Sequence, residues 1–130
     1  MLFRPILAFL TPAALLLPMP AMAQVQGTWR VTGVIDGNAF AVDCAFEPQG
    51  NQFNGKCTDV LTGDKGKAGK VHTLTQGNVT GNNVRWTYVT KVMFMSVDIN
   101  FAGTLSGNHM SGSITAKGRK GSFAAVRNPA

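Results

Sequence analysis

The sequence has few of the residues from which metal centres and catalytic sites are built. It contains two cysteines, two histidines and six acidic residues among 130 positions. No carboxylate lies at a recurrent metal-ligand spacing from a histidine, and no serine or cysteine has the neighbours of an activated nucleophile. We therefore expect a protein that is not an enzyme and that has no metal site and no cofactor.

Helical periodicity is also missing after residue 23. Short runs rich in valine, phenylalanine and threonine alternate instead with turn dipeptides, a spacing typical of β-sandwiches and barrels. The strands expected from this pattern cover residues 28–35, 39–48, 52–60, 70–76, 84–89, 92–105, 109–116 and 122–127, with a short ribbon at 79–80. Turns are expected at 36–38, 77–78, 81–83, 106–108 and 117–121, and a mobile loop at 61–69.

Residues 1–23 have the three parts of a secretory signal peptide. Arg4 supplies the positive segment, residues 6–17 form an apolar core broken by Pro12, and residues 21–23 (Ala-Met-Ala) match a cleavage site before Gln24. The apolar run is shorter than the roughly 20 residues of a membrane-spanning helix. We expect one domain, residues 24–130, in a periplasmic or secreted protein.

The two cysteines predict a disulfide-stapled hairpin. An even cysteine count in an exported chain favours a disulfide. A two-residue turn at Gly50-Asn51 sets Cys44 opposite Cys57, at a site where opposed Cα atoms approach to roughly 4.5 Å. The same register pairs Gln49 with Gln52, Pro48 with Phe53 and Phe46 with Gly55.

About eight strands joined by tight turns favour an all-β, antiparallel up-and-down barrel, because closure removes exposed edge strands. An interior of that size is filled by side chains or holds one small ligand. Apolar residues on alternating positions are expected to line it, with methionines supplying an adaptable wall. The candidate ligand-binding residues are Phe40, Trp86, Tyr88, Met93, Met95, Phe101 and Met110; ordinary core packing is the alternative interpretation.

Two motifs resemble the calycin superfamily, which includes lipocalins, fatty-acid-binding proteins and avidins. Gly27-Thr28-Trp29 opens the first strand, and residues 121–127 end the last strand with Arg127. The resemblance implies that Trp29 closes one end of the barrel and that Arg127 packs across it by a cation–π contact. Residues 101–103, 110–112 and 123–125 are also similar to the closing hairpins of small bacterial lipocalin-like domains.

A second resemblance is to small periplasmic inhibitors of secreted metalloproteases, which are Gly-x-Trp barrels with one disulfide early in the chain. Two functions therefore stay open. The first is an exported barrel that binds a small apolar or amphipathic ligand. The second is an interaction protein or enzyme inhibitor that acts through its loops and has a filled core.

The remaining polar features have ordinary structural interpretations. Residues 66–70 differ from a phosphate-binding loop in spacing and lack a following helix. His72 is expected to face inward and His109 to be exposed. Asp43 and Asp98 are expected on the solvent-exposed faces of their strands, beside basic neighbours.

Twelve basic residues outnumber six acidic ones, and they cluster near two turns: Lys65, Lys67 and Lys70 at one, and Lys117, Arg119 and Lys120 at the other. Nucleic-acid binding would require aromatic residues among these charges. The aromatics instead alternate toward the expected interior. An acidic envelope surface or another polyanion is the expected electrostatic partner, with solubility as the simpler role.

Overall fold

The computed structural model describes residues 24–62 and 68–128, with the backbone alone at positions 61 and 62. The expected signal peptide and the basic residues Lys65 and Lys67 lie outside the described residues. Eight strands form a closed barrel. They are β1 Gly27–Ile35, β2 Asn38–Gln49, β3 Gln52–Thr62, β4 Val71–Thr80, β5 Asn83–Val92, β6 Met95–Ser106, β7 His109–Ala116 and β8 Arg119–Arg127.

Each strand pairs antiparallel with the next, and β8 returns to pair with β1. The predicted all-β, eight-stranded up-and-down barrel is confirmed. Side chains alternate between a buried and an exposed face along most strands, so one core fills the cylinder.

The predicted hairpin register is confirmed across β2 and β3. Cys44 lies opposite Cys57, and the two form a disulfide with a Cα–Cα distance of 4.0 Å. Phe46 faces Gly55 and Pro48 faces Phe53, as the turn at Gly50-Asn51 requires. Both cysteines are fully buried, so the disulfide is part of the core.

The turns at the two ends of the barrel differ in backbone conformation. At one end, called the mouth, three turns have positive φ at both central residues, as in type I′ turns: Asp36-Gly37, Met93-Phe94 and Lys117-Gly118. At the other end, called the closed end, three Gly-Asn turns have positive φ at the glycine, as in type II′ turns: residues 50–51, 81–82 and 107–108.

β3 and β5 extend past their expected ends, to Thr62 and Val92, and three further expectations about turns are wrong. The Gly77-Asn78 dipeptide lies inside β4. A Cβ at Gly77 would come within 2.7 Å of the Phe53 ring, so this glycine is required by packing between strands and does not mark a turn. Residues 93–94 form a turn, so the expected strand 92–105 is split between β5 and β6. The expected basic turn 117–121 is confined to Lys117-Gly118, and β8 begins at Arg119.

Aromatic rings fill the middle of the barrel. Trp86 is fully buried and stacks on Phe101 with ring centroids 4.6 Å apart. Phe46 and Phe123 contact the same indole at 5.0 and 5.4 Å. Within the part of the chain that the structure describes, the indole Nε1 of Trp86 is the one fully buried side-chain nitrogen or oxygen without a hydrogen-bond partner.

The closed end is sealed by Trp29 and Arg127. The Arg127 guanidinium lies 4.5 Å from the centroid of the Trp29 ring, which is the contact that the calycin resemblance implies. Trp29 Nε1 donates to the Val25 carbonyl oxygen at 2.9 Å, and Arg127 donates to the carbonyl oxygens of Gln24 and Gln26. The segment before β1 is thereby tied across the base of the barrel.

Candidate functional site

A concavity of about 510 Å³ lies at the mouth. Three hairpins form its walls: β1–β2, β5–β6 and β7–β8. The apolar lining residues are Ile35, Val92, Met93, Met95, Val97, Ile99 and Ala116, and the polar ones are Asp36, Asn38, Lys117 and Arg119. The site is therefore apolar toward the barrel axis and charged at its rim.

A buried polar cluster lies beside this concavity. Asp59 on β3, His72 on β4 and Tyr88 on β5 occupy neighbouring strands, and all three face the interior. His72 Nε2 donates to Asp59 Oδ2 at 3.0 Å, and the imidazole stacks on the Tyr88 ring with centroids 4.6 Å apart. Tyr88 lies opposite Ile99, a lining residue, so the cluster borders the site on the β3–β5 side of the barrel.

The Asp59–His72 pair was not expected from the sequence, although the inward orientation of His72 was. A signal for Asp59 was available, because it shares the alternation of Phe53 and Cys57 along β3. An aspartate at an inward position requires a partner. The partner is supplied by β4, which places His72 opposite Cys57.

The Tyr88 hydroxyl is held in its neutral form by this environment. Burial, and secondarily the negative charge of Asp59, raise the pKa of the phenol above its ordinary value of 10.0. Both effects disfavour the phenolate, since it would be a buried anion beside a carboxylate.

We expect the phenolate absorbance of the native protein to titrate above pH 10. Tyr88 is the only tyrosine, so the absorbance reports this residue alone. A raised pKa in the folded state means that its stabilising contribution is complete below about pH 10 and is lost as the pH rises further, by up to about 1.4 kcal/mol per pH unit. The Tyr88→Phe variant should lack this component; an ordinary titration midpoint in the folded protein would contradict the expectation.

The structure distributes the seven predicted ligand-binding residues over three environments. Trp86, Phe101 and Met110 are buried in the core, where Trp86 and Phe101 stack on each other. Phe40 is partly buried against that core, and Tyr88 lies in the buried polar cluster. The structure therefore brings Met93 and Met95 together at the concavity, and places the other five in or near the core.

The expected inward orientation of Met93 is wrong, and that of Met95 is incomplete. Met93 is 86% exposed and Met95 is 50% exposed. The physical reason is the turn at residues 93–94, which interrupts the alternation on which the expectation depended.

The Met93-Phe94 turn is costly for the fold. Its φ angles are 52° and 70°, in a region where side chains other than glycine, asparagine and aspartate are disfavoured. The two other mouth turns place glycine at the second central position. Met93 and Phe94 also gain little from burial, because Phe94 is 100% exposed.

Replacing the turn by Met93→Asn and Phe94→Gly is expected to raise the free energy of unfolding by about 1–2 kcal/mol, because it relieves two unfavourable φ angles. Denaturant unfolding with an unchanged m-value measures the gain. The reverse change, Gly118→Phe in the neighbouring turn, should lower stability. A turn variant no more stable than the natural protein would refute this account.

The other polar candidates lie on the surface. Asp43 forms an ion pair with Arg30 across β1 and β2, while Asp98 and His109 are exposed. Across residues 24–62 and 68–128, no three histidine, cysteine, aspartate or glutamate side chains group in a way that could hold a metal ion.

No family model matches the chain, and no curated protein matches it. A redesigned β-barrel of known structure superposes with a TM-score of 0.65 at 16% identity, covering 84% of this chain and 96% of the other. A second redesigned β-barrel, mFAP1, bound to DFHBI, has a TM-score of 0.56 at 18% identity, covering 83% and 98%. At these identities the likeness is one of fold, and this chain is similar to designed barrels in architecture.

Proposed function

We propose that this chain is an exported binding protein that holds a small apolar or amphipathic molecule at the mouth of its barrel and catalyses no reaction. The observation that carries the proposal is the concavity of about 510 Å³, in which apolar side chains from three hairpins converge. Cavities of this size and lining are typical of small-molecule sites.

The charged rim supports an amphipathic ligand. Lys117 lines the same concavity as Val97 and Ile99, so an apolar body could enter the barrel while an anionic group stays at the rim beside this lysine. The designed barrel mFAP1, which shares the fold, was solved bound to a small molecule. That complex supports the capacity of such barrels to hold a small molecule.

An apolar fluorescent probe tests the proposal. Saturable binding to the folded, oxidised protein is expected, with a dissociation constant that rises at least about tenfold in Met95→Asp, because a carboxylate would have to be desolvated beside the probe. Val126→Asp is the matched control. Val126 is 46% exposed, close to the 50% of Met95, but lies near the closed end opposite His109. Unsaturable binding, or equal loss in both variants, would exclude a mouth site.

A second candidate function is a protein-interaction module that acts through its loops. The aromatic core favours it, since Trp86, Phe101 and Phe123 already occupy the interior. In that case the probe should fail to saturate, and an intact protein partner should co-purify with the oxidised protein.

A further inference from the structure

We propose that the Met93-Phe94 turn docks the barrel onto an anionic lipid membrane surface, with the two side chains entering the interfacial region. This surface, called the tip, consists of Val92, Met93, Phe94 and Met95 together with the basic residues Lys91, Lys117 and Arg119. Five of these seven residues also line the concavity, whereas Phe94 and Lys91 do not. Substitutions at Phe94 and Lys91 therefore test docking without altering the ligand site.

The apolar part of the tip projects away from the barrel. Phe94 is 100% exposed, Met93 86%, Val92 51% and Met95 50%. These are consecutive residues, whereas the remaining large exposed apolar side chains of the described chain are single valines on β1, β3, β4, β5 and β8. An exposed apolar cluster of this kind marks an interaction site.

The backbone of the tip supports a functional role. Two residues that disfavour positive φ occupy the turn where Asn-Gly would fold more favourably. Unfavourable backbone conformations concentrate at functional sites. Here the unfavourable turn presents two large apolar side chains at the apex of a hairpin, which a glycine turn could not do.

The charges around the tip select an anionic partner. Lys91 is exposed beside Val92, and Lys117 Nζ lies 3.5 Å from Met95 Sδ. Asp36, the acidic residue of the mouth turns, is paired with Arg119 at 2.5 Å. These two charges offset each other, so Lys91 and Lys117 supply the positive charge of the tip. Lysines flanking exposed phenylalanine and methionine match an interface of anionic headgroups over acyl chains. A second copy of the chain would instead bring like charges together.

Sedimentation with lipid vesicles tests the proposal on the full-length protein. Vesicles of phosphatidylcholine with phosphatidylglycerol should bind it more tightly than phosphatidylcholine alone, and binding should weaken as salt is raised. Every variant below keeps residues 1–23 unchanged. Differences in vesicle binding between the variants therefore come from the substituted side chains and not from that segment.

Phe94→Ser should weaken vesicle binding by about tenfold or more, because no phenylalanine ring is then transferred from water into the lipid interface. The matched control is Val126→Ser, which removes an exposed apolar residue near the closed end and should bind as the natural protein does. Lys91→Gln should weaken binding about fivefold. Its control, Arg85→Gln on the outer face of the same strand, should have a smaller effect.

The Met93→Asn, Phe94→Gly variant separates docking from folding, since it should be more stable and yet bind vesicles more weakly. The proposal would be overturned if Phe94→Ser and Val126→Ser bound vesicles equally well, or if phosphatidylglycerol did not affect binding by the natural protein. It would also be overturned if Phe94 caused self-association and the protein did not bind vesicles. Probe binding in the concavity should survive Phe94→Ser. If the natural protein binds vesicles but does not bind the probe, the proposed function is refuted and the docking proposal is not.

Discussion

Replacing Trp86 by alanine should reduce the free energy of unfolding by about 3–5 kcal/mol, the range for truncating a large aromatic residue in a packed core. Trp86 has no exposed surface and is contacted by the rings of Phe46, Phe101 and Phe123. The surrounding strands belong to a closed cylinder, so they cannot move together to refill the space. The loss would be a large fraction of the stability of a domain of this size.

Denaturant unfolding followed by circular dichroism measures this loss, because it does not depend on tryptophan fluorescence. Trp86→Phe is the matched control. It keeps an aromatic ring against Phe101 and removes an indole N–H that has no partner, so its loss should be clearly smaller. Similar losses in both variants would mean that the N–H, and not the volume of the ring, carries the effect.

Removing the disulfide should cost about 3 kcal/mol. Cys44 and Cys57 are separated by 13 positions, and in the chain-entropy model a closed loop of about that length restricts the unfolded chain by this amount. The Cys44→Ala, Cys57→Ala double variant tests it. Because both sulfurs are buried, the variant also loses some packing.

Comparing the oxidised protein with the reduced natural chain isolates the cross-link, since both thiols remain in place. The reduced protein should unfold at lower denaturant concentration, with a larger m-value because its unfolded state is less restricted. The double variant should lose slightly more stability than the reduced protein. Equal midpoints for the oxidised and reduced proteins would show that the hairpin gains nothing from the bond.

The hairpin is the part of the fold that local sequence predicts most completely. The turn dipeptide sets the register, and counting outward from Gly50-Asn51 places the cysteines opposite each other. The same reasoning failed at Gly77-Asn78, an equally favourable turn dipeptide. There the Phe53 ring on β3 requires a residue without a Cβ, and a contact between strands outweighs the local preference.

Alternation predicted that Tyr88 and Phe101 face the interior, and they do. It could not predict whether the interior is filled or open, because that depends on how rings from different strands meet. Alternation also failed at Met93, where the chain turns without glycine or proline. Nothing in residues 92–95 signals a turn, so its position became visible only once β5 and β6 were paired.

The sequence by itself determined the all-β class, the strand count, the disulfide pairing and the inward face of most strands, because each depends on a period of two or on a turn a few residues away. The tertiary structure alone decided that Asp59 meets His72 beside Tyr88 and that apolar residues of three hairpins surround one concavity. It also decided that the Phe94 side chain is exposed to solvent near Lys91 and Lys117. These arrangements join residues far apart in the chain, and barrel closure, which no local pattern encodes, sets their distances.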